Sequence, residues 1–279
     1  MSLNSFEVFR GETVGKPKNP LRDGIPREVP LPKSPLARVI AQVRFPSVLS
    51  INDPAFIAPF QEAIRRQYPR PLQERTQELS FTPNGVTPGN SAVIWRFCTM
   101  DDHWKVSLCP FFLSIETAQY TSRADFFERF SFLLSQLDKH FSPAIVERLG
   151  VRYIDRVKDP ELKEIEEMVR PEMLGILPSS MRQEIVHQIS DCLLRPAEAD
   201  SSIVARWGKI PENITVDPGA IEVLDVPSWI LDLDMFSTAP MPFETSDIIE
   251  RSHLFARRIY AVFRWAVTDH FLKVYGGDK

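Results

Sequence analysis

From Leu36 to Phe45 apolar and polar positions alternate, with Val39, Ala41, Val43 and Phe45 on one side and Arg38, Gln42 and Arg44 on the other. A period of two is the mark of a half-buried strand. Asp53-Pro54 then offers an N-cap and a first-turn proline. Phe56, Ile57, Phe60 and Ile64 follow at helical spacing, so a helix is predicted to about Tyr68, where Pro69 and Pro71 end it. Extended stretches are expected over 78–83, 92–99, 103–109 and 111–119, the middle pair joined by a link short enough for a hairpin. Ser122, with Asp125 three residues on, opens a long helix to about Phe141 whose buried face carries Phe127, Phe130, Leu134, Leu137 and Phe141.

The order then recurs. Residues 147–157 alternate as a strand, with Leu149, Val151, Tyr153 and Val157 on the apolar side, and Asp159-Pro160 caps a second short helix to about Arg170. Strands are expected over 184–194, 202–209, 220–225 and 229–236, and Ser246 opens the longest helix, which runs to Gly276-Gly277. Each half therefore reads as strand, helix, four strands, long helix.

Residues 1–35 hold Gly11, Gly15, Gly24 and six prolines among polar residues, which predicts an extended arm. The domain reading is thus an arm over 1–35 and two β-α-β4-α repeats over 36–143 and 144–279. The predicted fold class is α+β, a curved antiparallel sheet with long helices packed on one face, because one apolar sheet face must be covered. This order of elements is analogous to TATA-binding-protein-like and helix-grip folds. The alternative is two unrelated α+β domains.

Composition leaves this picture intact and narrows the partners. The 279 residues include 33 Lys+Arg and 37 Asp+Glu, a net charge of −4, which excludes a general polycation. No apolar run is long enough to span a membrane and the N-terminus lacks a signal-peptide pattern, so a cytoplasmic protein is expected. Cys98, Cys109 and Cys192 make no zinc spacing and read as reduced core thiols.

Charge becomes informative once strand parity is applied. Opposite the apolar side, the strands present Arg38, Arg44, Arg96, Lys105, Arg148, Arg152, Arg156 and Arg206, with Glu116, Asp232 and Asp234. Arg148, Arg152 and Arg156 recur every fourth residue, about 13 Å apart on a straight strand, with Gly150 between the first two. Two readings stand: an anion-binding concavity built from arginine forks, or a face of cross-strand pairs between these arginines and Glu116, Asp232 or Asp234.

Other chemistry is weaker. Asp232-x-Asp234 could place two carboxylates on one cation, but no His or third acid lies near it in sequence. His103, His140, His187, His253 and His270 form no HxH or HExxH pattern, His253 reading as a packed or capping residue in the last helix. There is no GxSxG, GxxxxGK[ST] or GxGxxG, so no metal or cofactor is predicted. Few aromatics interleave with the face arginines, which weakens a base-stacking platform and leaves nucleic acid a weakly supported partner.

Several segments together resemble a sporadically distributed family of uncharacterised bacterial proteins: Pro35 to Pro46, Trp104 to Leu108, Leu113 to Tyr120, Arg148-Leu-Gly-Val-Arg-Tyr-Ile-Asp-Arg156, and a last helix with His253-Leu254, Phe263 and Thr268. The likeness covers about residues 33–275; the family pattern has Asn where this chain has Asp155. It implies a shared fold and a cytosolic accessory role, and it brings no catalytic residues. The function expected is a non-enzymatic module whose arginine-rich face takes an anionic small molecule or an acidic protein surface. The rival is an enzyme on a phosphorylated or carboxylated substrate, with Arg148, Arg152 and Arg156 as clamp and Glu116 or Asp232 as acid or base. A third reading is a homo-oligomer in which the arm reaches a neighbour.

Overall fold

The computed structural model describes residues 16–82 and 85–277, the side chains of 75–92 excepted. The fold is mixed α+β. Its elements are β1 (Leu36–Arg44), α1 (Pro54–Ile64), β2 (Arg70–Thr82), β3 (Gly85–Cys98), β4 (Trp104–Cys109), β5 (Phe112–Thr117), α2 (Arg123–Phe141), β6 (Ile145–Val146) and β7 (Arg148–Val157). These are followed by α3 (Ile165–Met168), β8 (Gln188–Leu194), β9 (Ser201–Ile210), β10 (Ser228–Ser237), β11 (Met241–Pro242), α4 (Thr245–Ala266) and α5 (Asp269–Val274). Nine strands belong to one antiparallel sheet, and β6 pairs with β11 apart from it.

Local chemistry sets the helix ends. The Asp53 carboxylate accepts from the Ala55 amide before Pro54 starts α1, and the Ser122 hydroxyl accepts from the Asp125 amide to start α2. Ser142, left-handed at φ 44°, closes α2.

Four expectations are corrected. Phe56 is exposed, because α1 turns only Ile57, Phe60 and Ile64 inward. Residues 220–225 form no strand: the Ala220 and Ile221 amides bond back to the Asp217 carbonyl and the Thr215 hydroxyl bonds the Ile221 carbonyl, so turns consume the backbone a ladder would need. The last helix breaks at Val267-Thr268, where the Thr268 amide bonds the Met168 carbonyl and its hydroxyl accepts from Phe271 to begin α5. Cys192 is exposed on β8, whereas Cys98 and Cys109 are buried and burial raises both thiols above their usual range.

Two compact units divide the chain by packing rather than by element order. Unit I comprises Met1–Ala37, Arg152–Met235 and Leu254–Lys279; unit II comprises Arg38–Val151 and Phe236–His253.

In unit II the strands hydrogen-bond in the order β2-β3-β4-β5-β1. The register fixes the faces: Val43 opposes Leu113, Leu113 opposes Leu108 and Leu108 opposes Trp95. On this apolar face Phe97 meets Phe60 of α1 with ring centroids 5.9 Å apart, and Trp104 meets Phe126 of α2 at 5.7 Å. His253 packs 4.4 Å from the Phe127 ring.

In unit I the order is β7-β10-β9-β8. Its arm is docked along the described residues. Arg258 of α4, fully buried, grips Glu198 through Nε (2.9 Å) and Nη2 (2.8 Å) and spends Nη1 on the carbonyls of Pro20 (2.7 Å) and Asp23 (2.9 Å). The Tyr260 hydroxyl accepts from the Val29 amide at 2.7 Å, and the Lys33 amide bonds the Tyr275 carbonyl.

Removing one partner of a buried pair strands the other charge. Arg258→Met is therefore expected to lower unfolding free energy by about 3–5 kcal/mol in urea titrations. It should also open the bonds after Lys18 and Arg22 to trypsin under native conditions. A Glu198→Met/Arg258→Met double variant should recover part of the stability but not the protection, because the carbonyls of Pro20 and Asp23 still lack their donor.

Candidate functional site

The strand arginines do not form one array. Each unit uses its own share differently.

In unit I, β7 carries Arg152 and Arg156 on one parity. Arg152 holds the Asp232 carboxylate of β10 with a two-pronged fork, Nε to Oδ1 and Nη2 to Oδ2, both 2.7 Å. Its third nitrogen donates to Asp217 at 2.8 Å. Arg206 of β9 reaches Asp191 of β8 at 3.2 Å and lies 3.6 Å from Asp232. Two cations thus sit among three carboxylates. Burial alone would push the Arg152 guanidinium down, but the hydrogen bonds and charge of Asp232, then of Asp217, hold it above its ordinary value. Burial likewise opposes ionisation of Asp217, and the Arg152 hydrogen bond overrides it and keeps that carboxyl low.

Arg156 is buried and makes no ion pair among the described residues. Its Nε donates to the Ser228 hydroxyl at 2.9 Å and its Nη1 to the Glu222 carbonyl. Burial lowers its basicity, with Glu222 opposing. The turn-rich segment 211–227 supplies Asp217 and the Glu222 carbonyl, so at Arg152 and Arg156 the face is covered. Asp232, 3% exposed and gripped by an arginine fork, is not disposed to ligate a metal; Asp234, half-buried, follows on the same strand parity.

In unit II the register draws a polar row across four strands: Arg96 opposes Ser107, Ser107 opposes Ser114, and Ser114 opposes Gln42. Arg96 donates to the Ser107 hydroxyl at 2.9 Å and pairs with Glu74 at 2.7 Å. In the adjacent row Lys105 opposes Glu116, and Glu116 takes Lys105 at 2.7 Å and Arg38 at 3.1 Å through one oxygen. Arg44, exposed beyond the row, lies 5.7 Å from the centre of the Phe111 ring and has no ion-pair partner among the described residues. Four cations thus face two carboxylates. Arg148 lies 4.8 Å from the centre of the Phe236 ring, and its guanidinium occupies the space where a Cβ on Gly150 would stand, 2.5 Å away. A side chain there would oblige the flexible Arg148 guanidinium to shift.

Asp217, Asp191, Glu74 and the aromatic partners Phe111 and Phe236 escaped the sequence reading. Asp191 could have been found from the parity of β8. Asp217 lies in a Pro-Gly turn, 65 residues from Arg152 along the chain, and no periodicity signals its contact.

Among the described residues, the one carboxyl with a strongly raised pKa is elsewhere. Asp155, buried, alternates with Arg152 and Arg156 and so faces the other side of β7; burial pushes it up to about 7. Tyr275 nearby is raised by burial and then by Glu161 and Asp155. Among the described residues no group of three His, Cys, Asp or Glu could hold a metal ion, and no helix is long and apolar enough to cross a membrane.

A scan against protein-family models finds no match, and neither does a search of curated proteins.

Two outcomes follow from this geometry. Arg152→Gln is expected to cost about 2–3 kcal/mol in chemical unfolding, since Asp232 and Asp217 lose their shared donor. For Asp155 the folded pKa lies above the unfolded one, so its folded form binds the extra proton between pH 4 and 7. Its contribution therefore weakens stability as pH rises through that window and is flat above it. Asp155→Asn should be more stable than the parent at pH 8 in thermal melts, with the difference shrinking toward pH 4.

Proposed function

We propose that the chain is a non-enzymatic binding module that takes an anionic group, on a small molecule or on an acidic partner surface, at the strand face of unit II. The observation that carries this is the charge imbalance there: Arg38 and Lys105 share Glu116, Arg96 leans on Glu74, and Arg44 stands exposed against Phe111 without a carboxylate. Between the cations runs a neutral row of Ser107 and Ser114, both buried, and half-buried Gln42. Arginine forks so placed suit phosphate or carboxylate groups. Unit I is read as structural, because Arg152 and Arg206 are paired with carboxylates within the fold and Arg156 is buried against the Ser228 hydroxyl and the Glu222 carbonyl.

The enzyme reading loses support for a physical reason. Glu116 is held by two cations and Asp232 by an arginine fork, so the two carboxylates that would serve as acid or base are already engaged within the fold. The carboxyl with the raised pKa, Asp155, lies on the opposite parity of β7.

The architecture belongs to the same proposal. In unit II the first strand of the chain's first half is followed by its last and then by the others in reverse, β1-β5-β4-β3-β2, and in unit I the order is β7-β10-β9-β8. This shared rule supports an internal duplication; membership of the sporadic bacterial family rests on the resemblance of the Arg148–Arg156 block alone.

Tripolyphosphate and a glutamate-rich peptide, titrated by calorimetry against the full chain, test the reading. Saturable binding of either is expected, weakening as ionic strength rises. Arg44→Gln and Arg96→Gln should each weaken it about tenfold with unfolding midpoints little changed. Absence of saturable binding, or binding indifferent to both substitutions, would overturn it.

A further inference from the structure

Unit I also holds a pocket of about 230 Å³ that no part of the anion-face reading uses. Its floor is apolar: Trp229 of β10, Ile165 of α3 and Leu177, each less than a tenth exposed, with Leu162 and Pro227 beside them. Its rim is charged and carries Lys163, Arg182, Lys209, Asp159 and Glu166.

The rim charges do not cancel. Arg182 and Glu166 are joined in an ion pair at 2.5 Å. The Lys209 ammonium donates to the Ile185 carbonyl at 2.7 Å, which fixes its position and uses one of its three N–H groups. No carboxylate pairs with Lys209 or Lys163 among the described residues, and Asp159 is the single remaining acid on the rim. One held and one exposed ammonium over a hydrophobic floor favour a ligand with two parts. An apolar body covers Trp229, Ile165 and Leu177, and a single negative head meets the lysines. The volume suits a compact metabolite rather than a chain or a nucleotide, lying below the range of about 300–1,000 Å³ typical of drug-sized sites.

We infer that this pocket is a site for a small organic monocarboxylate with an aromatic or short aliphatic body. The site is independent of the strand face in unit II, since it shares no residue with it.

The probes are benzoate and hexanoate, with benzyl alcohol and hexan-1-ol as neutral matches, titrated against the full chain by calorimetry and followed by protein NMR. The carboxylates should bind saturably and at least about tenfold more tightly than the alcohols, the worth of one charge-assisted hydrogen bond. Lys163→Met, on an exposed side chain and expected to fold normally, and Lys209→Met should each erase most of that preference. Leu177→Trp should block all four probes, and Arg44→Gln should leave carboxylate binding unchanged. Equal affinity for acid and alcohol, no saturable binding, or carboxylate binding that survives both lysine substitutions would overturn the site. Loss of binding in Arg44→Gln would overturn it too, by moving the carboxylate to the other unit.

Discussion

The fork between Arg152 and Asp232 governs how the rest of the polar chemistry can be used. A guanidinium half-buried on β7 needs a carboxylate in good geometry, since desolvation otherwise outweighs any gain. Asp232 supplies it with two 2.7 Å bonds, Asp217 completes it, and Arg206 shares the same carboxylate while reaching on to Asp191. The network ties β7, β10, β9, β8 and the turn at Asp217 together. Charges committed in this way hold structure. They are not available to a ligand without a cost comparable to breaking the network.

Unit II follows the opposite rule. Arg38, Arg44, Arg96 and Lys105 meet two carboxylates among the described residues, Glu116 shared by Arg38 and Lys105 and Glu74 beside Arg96, so their charge is only partly balanced. Arg44 is steadied by the Phe111 ring instead, which holds a guanidinium in place and leaves its charge intact. An overall acidic chain can carry such a face because the compensating acids sit elsewhere, in the Arg152 network and along stretches such as Glu161 to Glu167.

Much of the fold was legible because the relevant signals are local. The alternation through Val39, Ala41 and Val43, the Asp53-Pro54 start and the Ser122 cap each act within a few residues, and strand parity placed Arg96, Lys105 and Glu116 on one face as the register has them. Three features were not legible. Residues 220–225 carry strand-like composition, yet turn bonds to Asp217 and Thr215 decide their shape. Val267-Thr268 interrupts the last helix because Thr268 finds partners at Met168 and Glu167, about a hundred residues back. The docking of the arm depends on Arg258, whose helical position gives no hint that it binds the carbonyls of Pro20 and Asp23. Parity set the candidate arginines on one side of their strands but could not tell which partners they take, since that depends on contacts such as Asp217 with Arg152.

The central claim is that the strand arginines divide by unit into structural and ligand-facing sets. Amide hydrogen exchange of the full chain, with and without saturating tripolyphosphate, tests it most directly. The account predicts new protection in β1, β4 and β5 around Arg44, Ser107 and Ser114, with exchange in β7, β9 and β10 unchanged. Protection centred on Arg152, Arg156 and Arg206 instead would contradict it.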